Sequence, residues 1–500
     1  MSSFSVVIFA SENMTRRYPM RWLRIALCKQ LLSSEHIEIK GLFIDRPPAA
    51  PAKSLERYKK KYGEEAFYQF LELQALEPSD TETPFSYVDA CQALDIPCYE
   101  MDLNSDETHA LLTELQPDLG VLFGCRILHE SIVDAPTFGT LNFHARDAEK
   151  FRGGGALGYW ELLEDERDIQ ITIHRAVAKV DAGQLLTTSR LEIEPCDTLE
   201  SLLLKTVIRG VDVYAQSIIR FAEGHREMSP QQTEQAKTYR RDLLAETFFR
   251  KERQQVLSQM DRYRDKKLPE LWAPAPKQVT PTQPTVFILS YPLIANHPSH
   301  PTNIPYEVFV GQLQWLQRYF RCISLSDALK QLRGEDVPSD NGISFVLTLD
   351  GGFAQDSVVV LPFLRAFELP ATLLVSPQSI EDSRTMCGQA LFEWEALYAE
   401  VERASLDVGL LSPTHFDHEQ LDSFDFVGEQ TLLESWLRRK CEVAALPYKC
   451  NKDIPEGPGI WLRTHEAPNT PAHFDGRQLA RIVAPSSVGE LAERIEGMFW

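Results

Sequence analysis

Five hundred residues suffice for two or three domains, each with its own core. Hydrophobic residues at 43% and charged residues at 25% are ordinary for a globular chain, so fibrous and disordered classes are excluded. The net charge of −21 argues against a partner gripped by its phosphates, which needs a basic surface, so no nucleic acid is expected.

Residues 4–10 form a short apolar run without the basic flank of a signal peptide. No apolar stretch approaches membrane-spanning length, so no membrane is expected. Nine scattered cysteines without a Cys-x-x-Cys pair read as reduced thiols of a cytoplasmic protein. Residues 5–10 read as a buried strand, 20–32 as a helix with apolar residues at helical spacing, and 37–44 as a second strand. A strand–helix–strand start implies a parallel, Rossmann-like sheet. The intervening Ser11-Glu12-Asn13-Met14 has no glycine for the tight turn of a dinucleotide fingerprint, so a nicotinamide cofactor is not expected. Residues 55–76 read as a helix with a basic start (Arg57, Lys59, Lys60, Lys61), either a solvated face or a landing site for an anionic substrate. Residues 118–123 read as a third strand, ending in Gly124-Cys125-Arg126-Ile127-Leu128.

The chemistry concentrates in residues 141–186. Asn142 and His144 lie two apart in an apolar run, so on a strand both project from one face. A second strand-like run, 171–180, leads to Asp181 before an Ala-Gly turn. Brought together, these three supply an amide donor, an imidazole and a carboxylate, the equipment for stabilising an oxyanion and moving a proton in acyl transfer. The bland alternative is that Asn142 and His144 satisfy backbone groups at a strand end and Asp181 caps a turn.

Asn142-x-His144, then Arg152-Gly153-Gly154-Gly155, Trp160 and Asp181-Ala182-Gly183, in this order, resemble the folate-dependent formyltransferase family over roughly the first half of the chain. The resemblance implies that Asn142, His144 and Asp181 are catalytic. It implies that 10-formyltetrahydrofolate is the co-substrate. Its pterin would be cradled, largely by backbone groups, in the loop of Phe123, Gly124, Cys125, Arg126, Ile127 and Leu128 with Val177 and Val180 before the aspartate. The glycine run lacks the Lys-Ser/Thr of a P-loop. The family's methionyl-tRNA enzymes have a Pro-rich segment where this chain has Ala145-Arg146-Asp147-Ala148-Glu149-Lys150, which points to a different acceptor side. Residues 199–222 read as an amphipathic helix ending at Gly224, and 231–241 resemble the tail that closes the family's catalytic core. A charged helix, 243–267, and a Pro-rich linker, 273–284, then stand where the tRNA enzymes continue into a basic β-barrel.

In the second half, an apolar strand at 345–350 ends in Asp350-Gly351-Gly352-Phe353. With its flanking strands and helices it resembles the polysaccharide deacetylase (NodB-like) family over roughly residues 287–377. That family's chemistry needs one aspartate as base, and a second with two histidines to hold a divalent metal. Asp350 matches the base, but Gly351 stands where the metal-binding aspartate belongs, and Tyr291-Pro292 replaces an early Tyr-His. His415 and His418, three apart rather than four, are the candidate metal ligands. The expectation is a deacetylase-like domain that has lost its catalysis, with Asp350 a vestigial base, acting in substrate binding or burying a homodimer surface.

The expected fold is α/β: a Rossmann-like formyltransferase domain at 1–228, a helical and Pro-rich linker at 229–284 and a NodB-like (β/α) barrel-type domain at 285–500. The expected activity is N-formylation of a small-molecule amine, foremost a nucleotide-linked amino sugar. An amino acid or hydroxylamine acceptor, or a bifunctional formyltransferase and metal-dependent N-deacylase, are the alternatives.

Overall fold

A computed structural model describes residues 3–11, 20–46, 87–153, 157–158, 160–161, 164, 166–194, 197, 199–232, 236–239, 273, 276, 281, 283–295, 303–335, 342–382, 385–386, 389–404, 406–412, 424–446 and 457–499. The chain divides into two compact units, Met1–Ile193 with Lys205–Met260, and Glu194–Leu204 with Asp261–Trp500. The expected basic helix at 55–76, the charged helix at 243–267 and nearly all of the Pro-rich linker lie outside the described residues.

In the first unit the strands are β1 (Phe4–Ser11), β2 (Ile37–Asp45), β3 (Cys98–Met101), β4 (Leu119–Leu122), β5 (Thr140–His144), β6 (Phe151–Gly153), β7 (Asp168–Arg175), β8 (Leu185–Glu192) and β9 (Lys237–Tyr239). Seven of them form one sheet in the order β3-β2-β1-β4-β5-β7-β8. Pairing is parallel from β3 to β5 and antiparallel from β5 through β8. β1 is buried along almost its whole length, which is why it reads as a continuous apolar run rather than an alternation. β3 escapes sequence reading because its four residues, Cys-Tyr-Glu-Met, carry no periodic pattern. The run expected at 171–180 is a strand only from Asp168 to Arg175, and the rest is loop. β6 leaves the main sheet and pairs with β9.

The chain order reverses direction across the sheet between β1 and β4. Open α/β sheets bind ligands in the crevice at such a point, outside the carboxyl ends of the strands. Helix α1 (Met20–Leu32) follows β1, and α2 (Tyr87–Ala93) and α3 (Asp106–Leu115) precede β3 and β4. The long helix α4 (Leu199–Ala222) braces β5: Tyr214 Oη donates to the Leu141 carbonyl at 2.8 Å. The rings of Phe123, Phe143 and Tyr214 pack together behind that strand.

The second unit is a closed parallel barrel. Its strands are β10 (Thr285–Tyr291), β11 (Ile343–Gly351), β12 (Ala371–Val375), β13 (Asp407–Leu411), β14 (Val443–Ala445), β15 (Ile460–Thr464) and β16 (Gln478–Val483). They run β10-β16-β15-β14-β13-β12-β11, and β11 pairs back onto β10 from Thr285↔Ile343 to Tyr291↔Leu349. This closure removes the exposed edges of the sheet. Val286, Ile288, Val346, Leu374, Leu411, Ile460, Leu462 and Leu479 form one buried cluster with Leu325, Ala328 and Leu329 of a short helix, Leu325–Leu332. The barrel-type domain expected from the deacetylase resemblance is thus observed. Among the described residues no helix is long and apolar enough to cross a membrane.

Candidate functional site

The antiparallel β5–β7 pair sets the site. Asn142 lies opposite His174 and His144 opposite Thr172. The loop after β7 then returns Asp181 to the same place, its backbone in the left-handed region at φ +49°, which Asp tolerates better than most residues. Gly183 is required two residues later: a Cβ there would sit 1.8 Å from the Arg175 carbonyl oxygen. Asn142, His144 and Asp181 converge. Asn142 Nδ2 donates to Asp181 Oδ1 at 3.3 Å, and His144 Nδ1 lies 3.6 Å from the same oxygen. Asp181 Oδ2 accepts the Gly153 backbone N–H at 2.9 Å, which ties the Arg-Gly loop to the site.

Sequence reasoning missed His174. Its Nε2 is 3.1 Å from Asn142 Nδ2 and 3.5 Å from Asp181 Oδ1. Its Nδ1 faces the Arg175 carbonyl at 2.9 Å, so Nδ1 carries the proton and Nε2 accepts from Asn142. The available signal was parity: Thr172 and His174 alternate on one face of a strand, as Asn142 and His144 do.

Burial and charge oppose each other here. Burial raises the Asp181 carboxyl, but His174, His144 and the Gly153 N–H outweigh it and hold the group down at about 2. Burial lowers the His144 pKa, and the pull of Asp181 restores only part of the loss. The resting imidazole is therefore neutral. Its two nitrogens face two acceptors, Asp181 Oδ1 and the Phe151 carbonyl at 2.9 Å, so a second proton is well received once it arrives.

The loop from Phe123 to Leu128 sits at the carboxyl end of β4, beside the reversal in strand order. Phe123 and Leu128 are buried, whereas Ile127 is 72% exposed and Val177 42% exposed. Both exposed residues adjoin members of one core cluster, Leu128 and Ala176, and Val180 is half-buried in the loop before Asp181. Burial pushes the Cys125 thiol up to about 12, so it is not a reactive thiolate. Arg126 does not present a free cation. Its Nε donates to Asp45 Oδ2 at 2.7 Å, and its Nη2 contacts Asp45 and Asp102. It clamps the loop to the ends of β2 and β3.

In the barrel, Asp350 Oδ2 accepts from Arg481 Nη1 at 2.7 Å and from Ser290 Oγ at 2.8 Å, and both ionic partners are buried. A carboxylate so engaged is a structural ion pair rather than an available base. Gly351 has φ +122°, and a Cβ there would lie 2.5 Å from the Phe353 ring. The space that a metal-binding aspartate needs is filled, so the residues present at this point do not fit the metal of the deacetylase chemistry. His415 and His418 lie outside the described residues.

Residues 79–218 match the family model described as formyl transferase, so the first unit carries a formyl transferase domain. The methionyl-tRNA formyltransferase of Staphylococcus aureus (strain Newman) is 32% identical over 145 residues, 28% of this chain and 46% of that protein. The chain thus spans about half the length of the curated relatives it matches. Among solved structures, phosphoribosylglycinamide formyltransferase from Bacillus halodurans aligns with TM-score 0.32 and 19% identity, covering 44% of this chain and 96% of that one. The Streptococcus pyogenes deacetylase PplD in complex with acetate aligns with TM-score 0.37 and 17% identity, covering 44% and 100%.

Proposed function

We propose that the first unit transfers the formyl group of 10-formyltetrahydrofolate to the amine of a small molecule. The observation that carries this reading is the convergence of Asn142, His144 and Asp181 on one carboxylate oxygen, within a formyl transferase domain. The donor supplies an electrophilic formyl carbon. The chain supplies the rest. Asn142 Nδ2 turns an N–H from its 3.3 Å contact with Asp181 toward the oxygen that gathers negative charge. His144 takes the proton of the attacking amine at Nδ1 and returns it to the donor nitrogen as that nitrogen's bond to the formyl carbon breaks, and Asp181 and the Phe151 carbonyl stabilise the imidazolium in between. His174 keeps the Asn142 amide oriented. The exposed Ile127 and Val177 offer apolar surface for a pterin ring.

An amino sugar, nucleotide-linked, is the acceptor we favour. The net charge of −21 weighs against tRNA. The engaged Asp350 and the filled space at Gly351 favour a binding role for the barrel over amide hydrolysis. The test is to mix the purified chain with 10-formyltetrahydrofolate and a panel of amines: nucleotide-linked amino sugars, amino acids, hydroxylamines and methionyl-tRNA. Release of tetrahydrofolate with an amino sugar supports the reading. Turnover with methionyl-tRNA alone replaces the acceptor, and no turnover with any amine removes the activity.

A further inference from the structure

We propose that Arg24 is a positioning residue for the formyl donor, acting through the loop after β4; the assignment rests on the formyl-transfer reading above. Arg24 is fully buried on α1. Its Nε donates to the Phe123 carbonyl at 3.2 Å and its Nη2 to the Gly124 carbonyl at 3.2 Å. Its Nη1 donates to Tyr87 Oη at 2.6 Å, at the first residue of α2. The Gly124 carbonyl also accepts the Ser11 N–H at 3.1 Å, from the end of β1.

Taking a guanidinium out of water is costly unless its donors are used. Here they are spent on two successive carbonyls of one loop, which a planar fork can reach and an ammonium cannot. The consequence follows from peptide geometry. In a trans peptide the carbonyl and the next N–H point to opposite sides. With the carbonyls of Phe123 and Gly124 drawn to Arg24, the N–H groups of Gly124 and Cys125 are turned away from it. Among the described residues no acceptor is placed for the N–H groups of residues 124–128. The His129 N–H is taken by Asn104 Oδ1. Arg126, through Asp45 and Asp102, and Asn104 Nδ2, at 3.1 Å from the Ile127 carbonyl, hold the far side of the same turn. The result is a pair of donors, the Gly124 and Cys125 N–H groups, turned away from Arg24 in a loop fixed from beneath, suited to a ligand rich in ring nitrogens and a carbonyl. Preorganised donors bind without an ordering cost at the moment of binding.

The test uses the full chain and Arg24→Lys, with Tyr87→Phe as a milder variant that keeps the guanidinium and removes one partner. Calorimetric affinity for 5-formyltetrahydrofolate, steady-state kinetics and amide exchange are measured for each. Arg24→Lys should weaken donor binding by about ten- to a hundredfold, from the loss of hydrogen bonds made by a charged group. The KM for the donor should rise while the KM for the amine stays, and exchange should accelerate at Ser11 and His129, whose N–H groups are hydrogen-bonded to and beside this loop, but not at Val6–Ile8 of β1. Tyr87→Phe should shift the same quantities in the same direction by less, and it decides alone if Arg24→Lys does not fold. Donor affinity and the exchange of those two amides unchanged in a folded variant overturn the assignment while leaving formyl transfer standing. If the wild-type chain itself binds no 5-formyltetrahydrofolate and uses no formyl donor, the formyl-transfer reading falls and takes this assignment with it.

Discussion

Asn142 and His174 face each other across the β5–β7 pair, and Nδ2 of one lies 3.1 Å from Nε2 of the other. Because His174 carries its proton on Nδ1, toward the Arg175 carbonyl, Nε2 can only accept, and the Asn142 amide is fixed with its nitrogen toward Asp181. Replacing His174 by Ala removes this constraint and one contact to Asp181, and leaves the His144 imidazole and the Asp181 carboxylate themselves in place. The formylation kcat should fall about five- to tenfold, the worth of one neutral hydrogen bond. Steady-state kinetics with a saturating donor would check it; an unchanged kcat means that Asn142 is oriented by Asp181 alone.

Asp181→Asn separates charge from shape. Asn tolerates the left-handed backbone at φ +49° and can still accept the Gly153 N–H, so the loop should keep its fold. The imidazolium of His144 loses its counter-charge. The rate should fall by about 10²–10⁴, the range of general acid–base catalysis, with little change in donor KM. Thermal unfolding of the same sample checks that the loop is intact.

The pH dependence follows from the two shifts. The His144 pKa is lowered from 6.5, first by burial, so the acid limb of kcat/KM should lie below 6.5. An acid limb at or above 6.5 would place the imidazole in a wetter site than the one described. Stability moves in the same sense. Below 6.5 the unfolded chain takes up a proton at His144 more readily than the folded one, and acidification destabilises the unit. The Asp181 carboxyl falls from 3.8 to about 2, so its contribution is full above 3.8 and is lost as the pH drops through 2. That contribution is about 2 kcal/mol. Urea unfolding midpoints between pH 7 and pH 2, compared for wild type and Asp181→Asn, follow both.

What the sequence disclosed and what it hid divide along chain distance. Asn142 and His144 were legible because two polar residues of equal parity interrupt a short apolar strand. Asp181-Ala182-Gly183 was legible as a turn, and Gly183 proves to be required by a backbone contact rather than by φ. His174 was not singled out, because its place opposite Asn142 depends on a register between strands that no local pattern states. Arg126 looked like a candidate ligand residue; its carboxylate partners lie 81 and 24 residues away, in other strand ends. The same holds for Arg481, which reaches Asp350 from 131 residues away across the closed barrel.

That barrel pair makes its own prediction. Arg481 and Asp350 are buried together, so removing one partner strands a charge. Arg481→Met should destabilise the second unit by about 3–5 kcal/mol, and Arg481→Met with Asp350→Leu should recover much of the loss. Denaturant unfolding followed at the barrel tryptophans resolves the two. A single variant as stable as wild type means the pair is not desolvated.

Restoring the missing aspartate should not restore a metal site. Gly351→Asp puts a side chain at φ +122° into the Phe353 ring. Backbone strain and overpacking together should cost about 2–5 kcal/mol. Equilibrium dialysis against zinc should find no gain in bound metal over wild type, and tight new binding would show that Phe353 yields.

The measurement closest to the centre of this account is single-turnover formyl transfer from 10-formyltetrahydrofolate to the acceptor identified by the amine panel, with wild type, Asn142→Ala and His144→Ala compared at equal folded concentration. Loss of one oxyanion donor costs about 10²–10³ in rate, so each variant should be slower by at least that factor, with its donor affinity nearly kept. Transfer at the wild-type rate by either folded variant would contradict the assignment of chemistry to this cluster.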